Sequence, residues 1–243
     1  MNLAVFAYDF PHKKTQEFLL RLWLERVPIA VVVGAPPQEV SRPVAQWRTA
    51  PRHIGVLHPA HLCARLGMPY VVAEHNGAQT ADVLRRAATD LVVIAGARIL
   101  RREIIAVPRI GIVNFHPGLI PEVRGLDALK WSVFHDVPPG VTAHLIDERV
   151  DAGWIVLRQR VPVYPDDSRV DLGLRLMETQ VDLLPETLRR LTERPERESY
   201  PSVRGGRPNR PMPPEIEQVV AEEFEAWKAR YAGTAQAVPG PGP

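Results

Sequence analysis

The stretch Ile110-Gly111-Ile112-Val113-Asn114-Phe115-His116-Pro117-Gly118-Leu119-Ile120-Pro121 decides how this chain is read. Its first four residues form a short apolar run of strand type, and polar side chains arrive at its carboxyl end. Asn114 and His116 stand two positions apart, so an extended backbone aims both at one face. Pro117 and Pro121 then stop the ladder, because proline has a fixed φ and no N–H to give. Open α/β sheets place their sites at the carboxyl ends of strands. Asp151 follows 35 residues after His116, within Val150-Asp151-Ala152-Gly153. An amide, an imidazole and a carboxylate are the parts needed to build and discharge a tetrahedral acyl intermediate.

On both sides of this run, strand and helix patterns alternate. Leu3 to Tyr8 is an apolar first strand. Residues 13–26 have helical spacing, with Phe18, Leu19, Leu22 and Trp23 expected on the buried face. Ile29 to Val33 is β-branched and reads as a second strand. A proline-bearing irregular stretch over 34–51 precedes a helix at 59–66, a strand at 70–73 and a helix at 80–88. Leu91 to Ile94 is the next strand, and residues 125–134 carry the helix after the Ile110 strand. This alternation predicts an α/β fold with a Rossmann-like, mainly parallel twisted sheet flanked by helices. Val141 to Asp147 and Gly153 to Val163 read as strands with no helix between them, so the far edge is expected to be antiparallel.

Val170, Leu174, Met177, Val181, Leu184, Leu188 and Leu191 recur every three or four residues and mark a long amphipathic helix, bent at Pro185. Residues 1–195 are therefore read as a catalytic domain. Over 196–243 the composition shifts to a C-terminal arm of proline, arginine and glycine, a short helix at 215–231 and a disordered tail. Val219, Val220, Phe224 and Trp227 are the helix's docking residues. Arg204, Arg207 and Arg210 on the arm are read as a solvated linker in preference to a phosphate site.

The Asn114-to-Pro121 run, the Gly140-Val-Thr-Ala-His144 stretch and the Ile146-to-Gly153 segment together resemble the folate-dependent formyltransferases. That family includes glycinamide ribonucleotide, methionyl-tRNA and nucleotide-sugar N-formyltransferases. The resemblance implies transfer of a formyl group from N10-formyltetrahydrofolate to an amine, with Asn114, His116 and Asp151 catalytic and no metal. An attacking amine turns the formyl oxygen into an alkoxide. Asn114 can donate to it, and protonated His116 can donate and neutralise it. One such donor is worth roughly 3 kcal/mol of barrier. An ionised Asp151 favours the charged imidazole. It can also hold a water that carries the proton from attacking nitrogen to leaving N10. By the same resemblance Arg98, Ile99 and Leu100, with the loop that carries Asp147 and Val150, line the folate pocket. His144 is expected to support the site from a neighbouring strand.

The amine is less sharply marked. The resembled glycinamide ribonucleotide enzymes carry a glycine-rich loop after the first strand, whereas this chain reads Ala7-Tyr8-Asp9-Phe10-Pro11-His12-Lys13-Lys14-Thr15. The methionyl-tRNA enzymes carry a further C-terminal domain, and only some 40 residues follow the catalytic unit here. Arg124-Gly125 and Trp131 match the nucleotide-sugar enzymes, so a nucleotide-linked amino sugar is the expected acceptor. Lys13, Arg124 and Trp131 are its expected contacts. Other amines, a hydrolase passing the formyl group to water, and a folate-binding module without turnover stay open.

Composition bounds these readings. The chain has 243 residues, 45% hydrophobic and 24% charged, as expected of a globular protein with a full core. A net charge of +2 is too weak to argue for nucleic acid or a membrane surface. The single cysteine, Cys63, excludes an intrachain disulfide and suits a reducing compartment. With no apolar run near ~20 residues and no signal-peptide pattern, a cytoplasmic protein is expected. His58 and His61 lack further ligands at metal-binding spacing. The partner expected is a small-molecule amine, with a homodimer through the C-terminal arm as an option.

Overall fold

The computed structural model describes residues 1–39 and 47–233. Part of the irregular stretch expected at 34–51, and the Pro239-to-Pro243 tail, lie outside the described residues. Among the described residues seven strands form one sheet: β1 (Leu3–Tyr8), β2 (Ile29–Ala35), β3 (Tyr70–Val72), β4 (Leu91–Ile94), β5 (Gly111–His116), β6 (Gly140–Leu145) and β7 (Trp154–Arg160). Their order is β3-β2-β1-β4-β5-β6-β7. The first five strands run parallel, and β6 runs antiparallel to its two neighbours, β5 and β7. The Rossmann-like sheet with an antiparallel edge is thus the observed architecture.

The helices are α1 (Lys13–Leu24), α2 (Pro59–Leu66), α3 (Ala78–Arg86), α4 (Arg102–Ile105), α5 (Ala128–Phe134), α6 (Arg169–Glu193) and α7 (Pro214–Tyr231). In α1 the buried stripe is Thr15, Phe18, Leu19 and Leu22, at helical spacing. Trp23, expected inside, is 50% exposed, because it lies a further 100° round the helix from Leu22. A similar correction applies to α6. Leu172, Leu176 and Leu183 are buried, whereas Val170, Leu174 and Met177 are half-buried. Two adjacent apolar rows share the same period, and periodicity cannot choose between them. Pro185 lies within α6, which begins with a capping box between Ser168 and Asp171.

One apolar cluster joins α1, α6 and one sheet face to Val220, Phe224 and Trp227 of α7. Phe224 meets Trp47 edge-on at 5.3 Å. Lys130 of α5 and Glu217 of α7 form a buried ion pair, and the Glu217 carboxylate also accepts the Trp47 N–H at 3.2 Å. A second cluster, with Phe6, Leu84, Leu100 and Ile112, covers the other face.

Candidate active site

Strand β4 pairs with β5 only as far as Val113. Asn114, Phe115 and His116 therefore run past it, at the carboxyl edge, where the sheet changes from parallel to antiparallel. On the other side, β6 sets His144 opposite Asn114 and Thr142 opposite His116. The Gly-Val-Thr-Ala-His stretch is thereby explained. Thr142 donates to the Gly118 carbonyl at 2.8 Å and accepts the Ile120 N–H at 3.0 Å, which pins the turn after His116.

Asp151 reaches this group from the loop before β7, in a left-handed backbone conformation with φ of 43°. That conformation is uncommon for any residue but glycine, though Asp tolerates it better than most. Its Oδ1 accepts from the Asn114 amide at 3.3 Å, and its Oδ2 accepts the Gly125 N–H at 2.9 Å. Oδ2 also lies 3.4 Å from Nδ1 of His116, and Oδ1 lies 3.8 Å from Nε2 of His144. The structure brings Asn114, His116 and Asp151 together, with His144 as a fourth member.

The bonds of each ring define its tautomer. His116 Nε2–H donates to the Val123 carbonyl at 3.0 Å, which leaves Nδ1 facing Asp151. His144 Nδ1–H donates to the Ala152 carbonyl at 2.8 Å, and its Nε2 accepts from the Asn114 amide at 3.4 Å. Burial lowers both pKa values and outweighs the opposing pull of Asp151; His144 falls to about 4. The charged form of His116, which Asp151 was expected to favour, is thus disfavoured on balance. Asp151 acts in the expected direction, but removing the ring from water costs the charged form more.

Of the two lysines at the start of α1, Lys14 is the one that reaches the centre. Its ammonium donates to the Phe115 carbonyl at 3.0 Å, and burial lowers its pKa to about 8 against the pull of Asp151. Lys13 instead pairs with Glu17 at 2.6 Å along α1. Only the helical period could have separated the two lysines, since position 14 lies beside the buried Thr15 and Phe18 stripe. Lys13 and Lys14, with His12, His53 and Met177, line a cavity of ≈530 Å³ beside the site. Burial and the nearby Lys14 and His53 hold His12 at about 4.

Arg124 and Trp131 are engaged with the chain itself. The buried Arg124 guanidinium donates to the carbonyls of Val150, Gly205 and Gly206 at 2.6–3.2 Å. Trp131 donates its indole N–H to the Arg210 carbonyl at 3.0 Å. At the folate side, Ile99 is 72% exposed, whereas Leu100 is buried against Phe6 and Ile104. Asn76, which the sequence did not single out, accepts from Arg101 N–H at 2.8 Å and donates to the Ile99 carbonyl at 2.9 Å. Arg98 donates to the Gln38 carbonyl. Asp147 pairs with Arg149, and an Arg102–Glu148 contact at 3.5 Å links the two loops. An exposed Ile99 and a half-exposed Val150 beside main-chain groups suit a flat heteroaromatic ring. His58 caps α2 by accepting the Ala60 N–H. Among the described residues no cluster of His, Cys, Asp and Glu is placed to hold a metal.

The sequence pattern of the family described as formyl transferase matches residues 13–188. The chain belongs to that family. It is 37% identical over 117 residues to the methionyl-tRNA formyltransferase of Thermosynechococcus vestitus, covering 47% of this chain and 35% of that protein. It is 35% identical over 161 residues to the methionyl-tRNA formyltransferase of a Roseiflexus species, covering 65% and 48%. The matches thus span between about a third and a half of these relatives' length. Among solved structures, glycinamide ribonucleotide transformylase 1 of Symbiobacterium toebii aligns with TM-score 0.61 at 24% identity, over 79% of this chain and 88% of that one. A sugar N-formyltransferase of a Shewanella species aligns with TM-score 0.58 at 22% identity, over 86% and 76%. At these identities the structural likeness concerns the fold.

Proposed function

We propose that this formyl transferase family member transfers the formyl group of N10-formyltetrahydrofolate to the primary amine of a nucleotide-linked amino sugar. The convergence of Asn114, His116 and Asp151 carries the reading. The amine nitrogen attacks the formyl carbon, and the carbonyl π bond becomes an alkoxide. An alkoxide is a stronger acceptor than the neutral His144 ring, so it draws the Asn114 N–H that His144 holds. The nitrogen's proton passes through a water on Asp151 to Nδ1 of neutral His116, and the resulting imidazolium faces the alkoxide. The alkoxide then re-forms the carbonyl, the bond to N10 breaks, and N10 takes the proton. Arg98, Ile99, Leu100, Asp147 and Val150 hold the folate, through main-chain groups and apolar walls of the two segments.

For the acceptor, the cavity lined by Lys13 and Lys14 is within the usual range for a small ligand and places two ammonium groups where a sugar diphosphate could meet them. A second reading, methionyl-tRNA as acceptor, has the sequence relatives in its favour.

The test is tetrahydrofolate release from N10-formyltetrahydrofolate, followed by absorbance. The acceptors are 3-amino and 4-amino nucleotide sugars, glycinamide ribonucleotide, methionyl-tRNA and water alone. Release that needs an amino sugar and is lost in His116→Ala supports the proposal. Release with methionyl-tRNA only moves the second reading ahead, and release without acceptor makes the chain a hydrolase.

A further inference from the structure

We infer that the C-terminal arm, residues 201–212, is a strap that sets the position of the catalytic carboxylate, with Arg124 as the positioning residue that fastens it. Two loops meet at Asp151: its own, and the one that offers Gly125 N–H to Oδ2. The arm holds both. On the carboxylate side, Val203 N–H donates to the Gly153 carbonyl at 2.7 Å, and Ile155 N–H donates to the Pro201 carbonyl at 2.9 Å. On the other side, Asn209 N–H donates to the Arg124 carbonyl at 2.8 Å, and Asn209 accepts the Leu126 N–H at 3.0 Å. These bonds flank Gly125 on both sides.

Arg124 joins the three pieces. Its Nε and Nη2 hold the Val150 carbonyl, directly before Asp151, and its Nη1 holds Gly205 and Gly206 of the arm. Two glycines allow the approach. Gly125 has φ of 89°, and a Cβ there would lie 2.2 Å from the Asn209 carbonyl oxygen. Gly206 has φ of 68°, with the Pro121 carbonyl 3.0 Å from a Cβ. The separation between Asp151 and Gly125, and with it the 3.4 Å contact to His116, is thus held by a segment some 55 residues further along the chain. A displacement of about 1 Å at a catalytic group can cost a hundredfold in rate.

The experiment uses two variants of the full chain. Arg124→Lys keeps the charge but loses the planar fork that spans three carbonyls. Val203→Pro removes the arm's N–H to Gly153 without touching a charged group. The first readout is the His116 ring titration by NMR. Lys14, Arg124 and His144 also act on this ring, and neither variant changes their charges. The second readout is kcat and KM with the best acceptor, in wild-type and Asp151→Asn backgrounds. We expect the His116 pKa to fall further below its ordinary value in both variants, as Asp151 draws away. We expect kcat to drop roughly tenfold to a hundredfold with KM for the formyl donor within about threefold, and no further loss on top of Asp151→Asn. A lower melting temperature with an unmoved His116 titration overturns the inference, as do losses that multiply with Asp151→Asn. The kinetic arm rests on the formyl-transfer reading. If the wild type releases no tetrahydrofolate with any acceptor, that reading fails, and the titration alone upholds or overturns the strap.

Discussion

Asn114 has two amide hydrogens, and Asp151 and His144 take both at 3.3 and 3.4 Å. Such long bonds orient the amide while leaving it available to a stronger acceptor. Asp151 is then the residue whose loss does most, because it touches Asn114, Gly125 and His116 together. Asp151→Asn is expected to lower kcat by about a thousandfold with little change in KM for the formyl donor, measured by steady-state kinetics. The buried histidines make a second prediction. His12 and His144 have folded pKa values of about 4 against an ordinary 6.5. Between those values the unfolded chain binds protons that the folded chain refuses, so stability rises with pH in that window. Urea denaturation from pH 7 to 4 should show stability lost as pH falls below about 6.5, by up to about 1.4 kcal/mol per pH unit for each histidine. His116 adds to the same slope, since its value is also lowered. A flat profile would show that these rings stay hydrated.

Helices α5 and α7 meet through Lys130 and Glu217, side chains that are 3% and 4% exposed. Their attraction offsets much of the cost of removing two charges from water, and taking away the lysine leaves the buried carboxylate's cost largely uncompensated. Lys130→Met is expected to cost about 3–5 kcal/mol in urea denaturation, and adding Glu217→Leu should recover much of that loss. If the single variant proves as stable as the wild type, water reaches Glu217. Neither residue stands out in the sequence, where lysine and glutamate on helices read as solvent-facing. Most elements themselves are legible: α2 matches the expected bounds, and β1 and β4 do so as well. Their signals are local, in alternation, β-branching and the Pro59 start. Helix α4, of only four residues, has no periodic pattern to announce it.

The core passes without a break from the sheet to α7, which packs on α5 and buries Val220, Phe224 and Trp227 in the same apolar cluster as the sheet. Each such side chain contributes roughly 1.5–3 kcal/mol by burial, so together they rival a domain's whole stability. A chain ended after residue 195 is expected to lose cooperative unfolding, seen as a missing near-ultraviolet circular dichroism band and a broadened urea transition. A sharp transition would make residues 196–243 an appendage in energetic terms as well as in composition. The mainly parallel sheet, its antiparallel edge and the grouping of Asn114, His116 and Asp151 could be expected from the residues, because each depends on patterns spanning a few positions or on linked motifs, whereas the strand order came only with the fold. The burial that lowers the His116 pKa, the reach of Lys14 in place of Lys13, and the engagement of Arg124 with Val150, Gly205 and Gly206 emerged from the folded chain alone. Burial and hydrogen bonding are sums over neighbours that lie tens of positions away, and no local pattern carries that information.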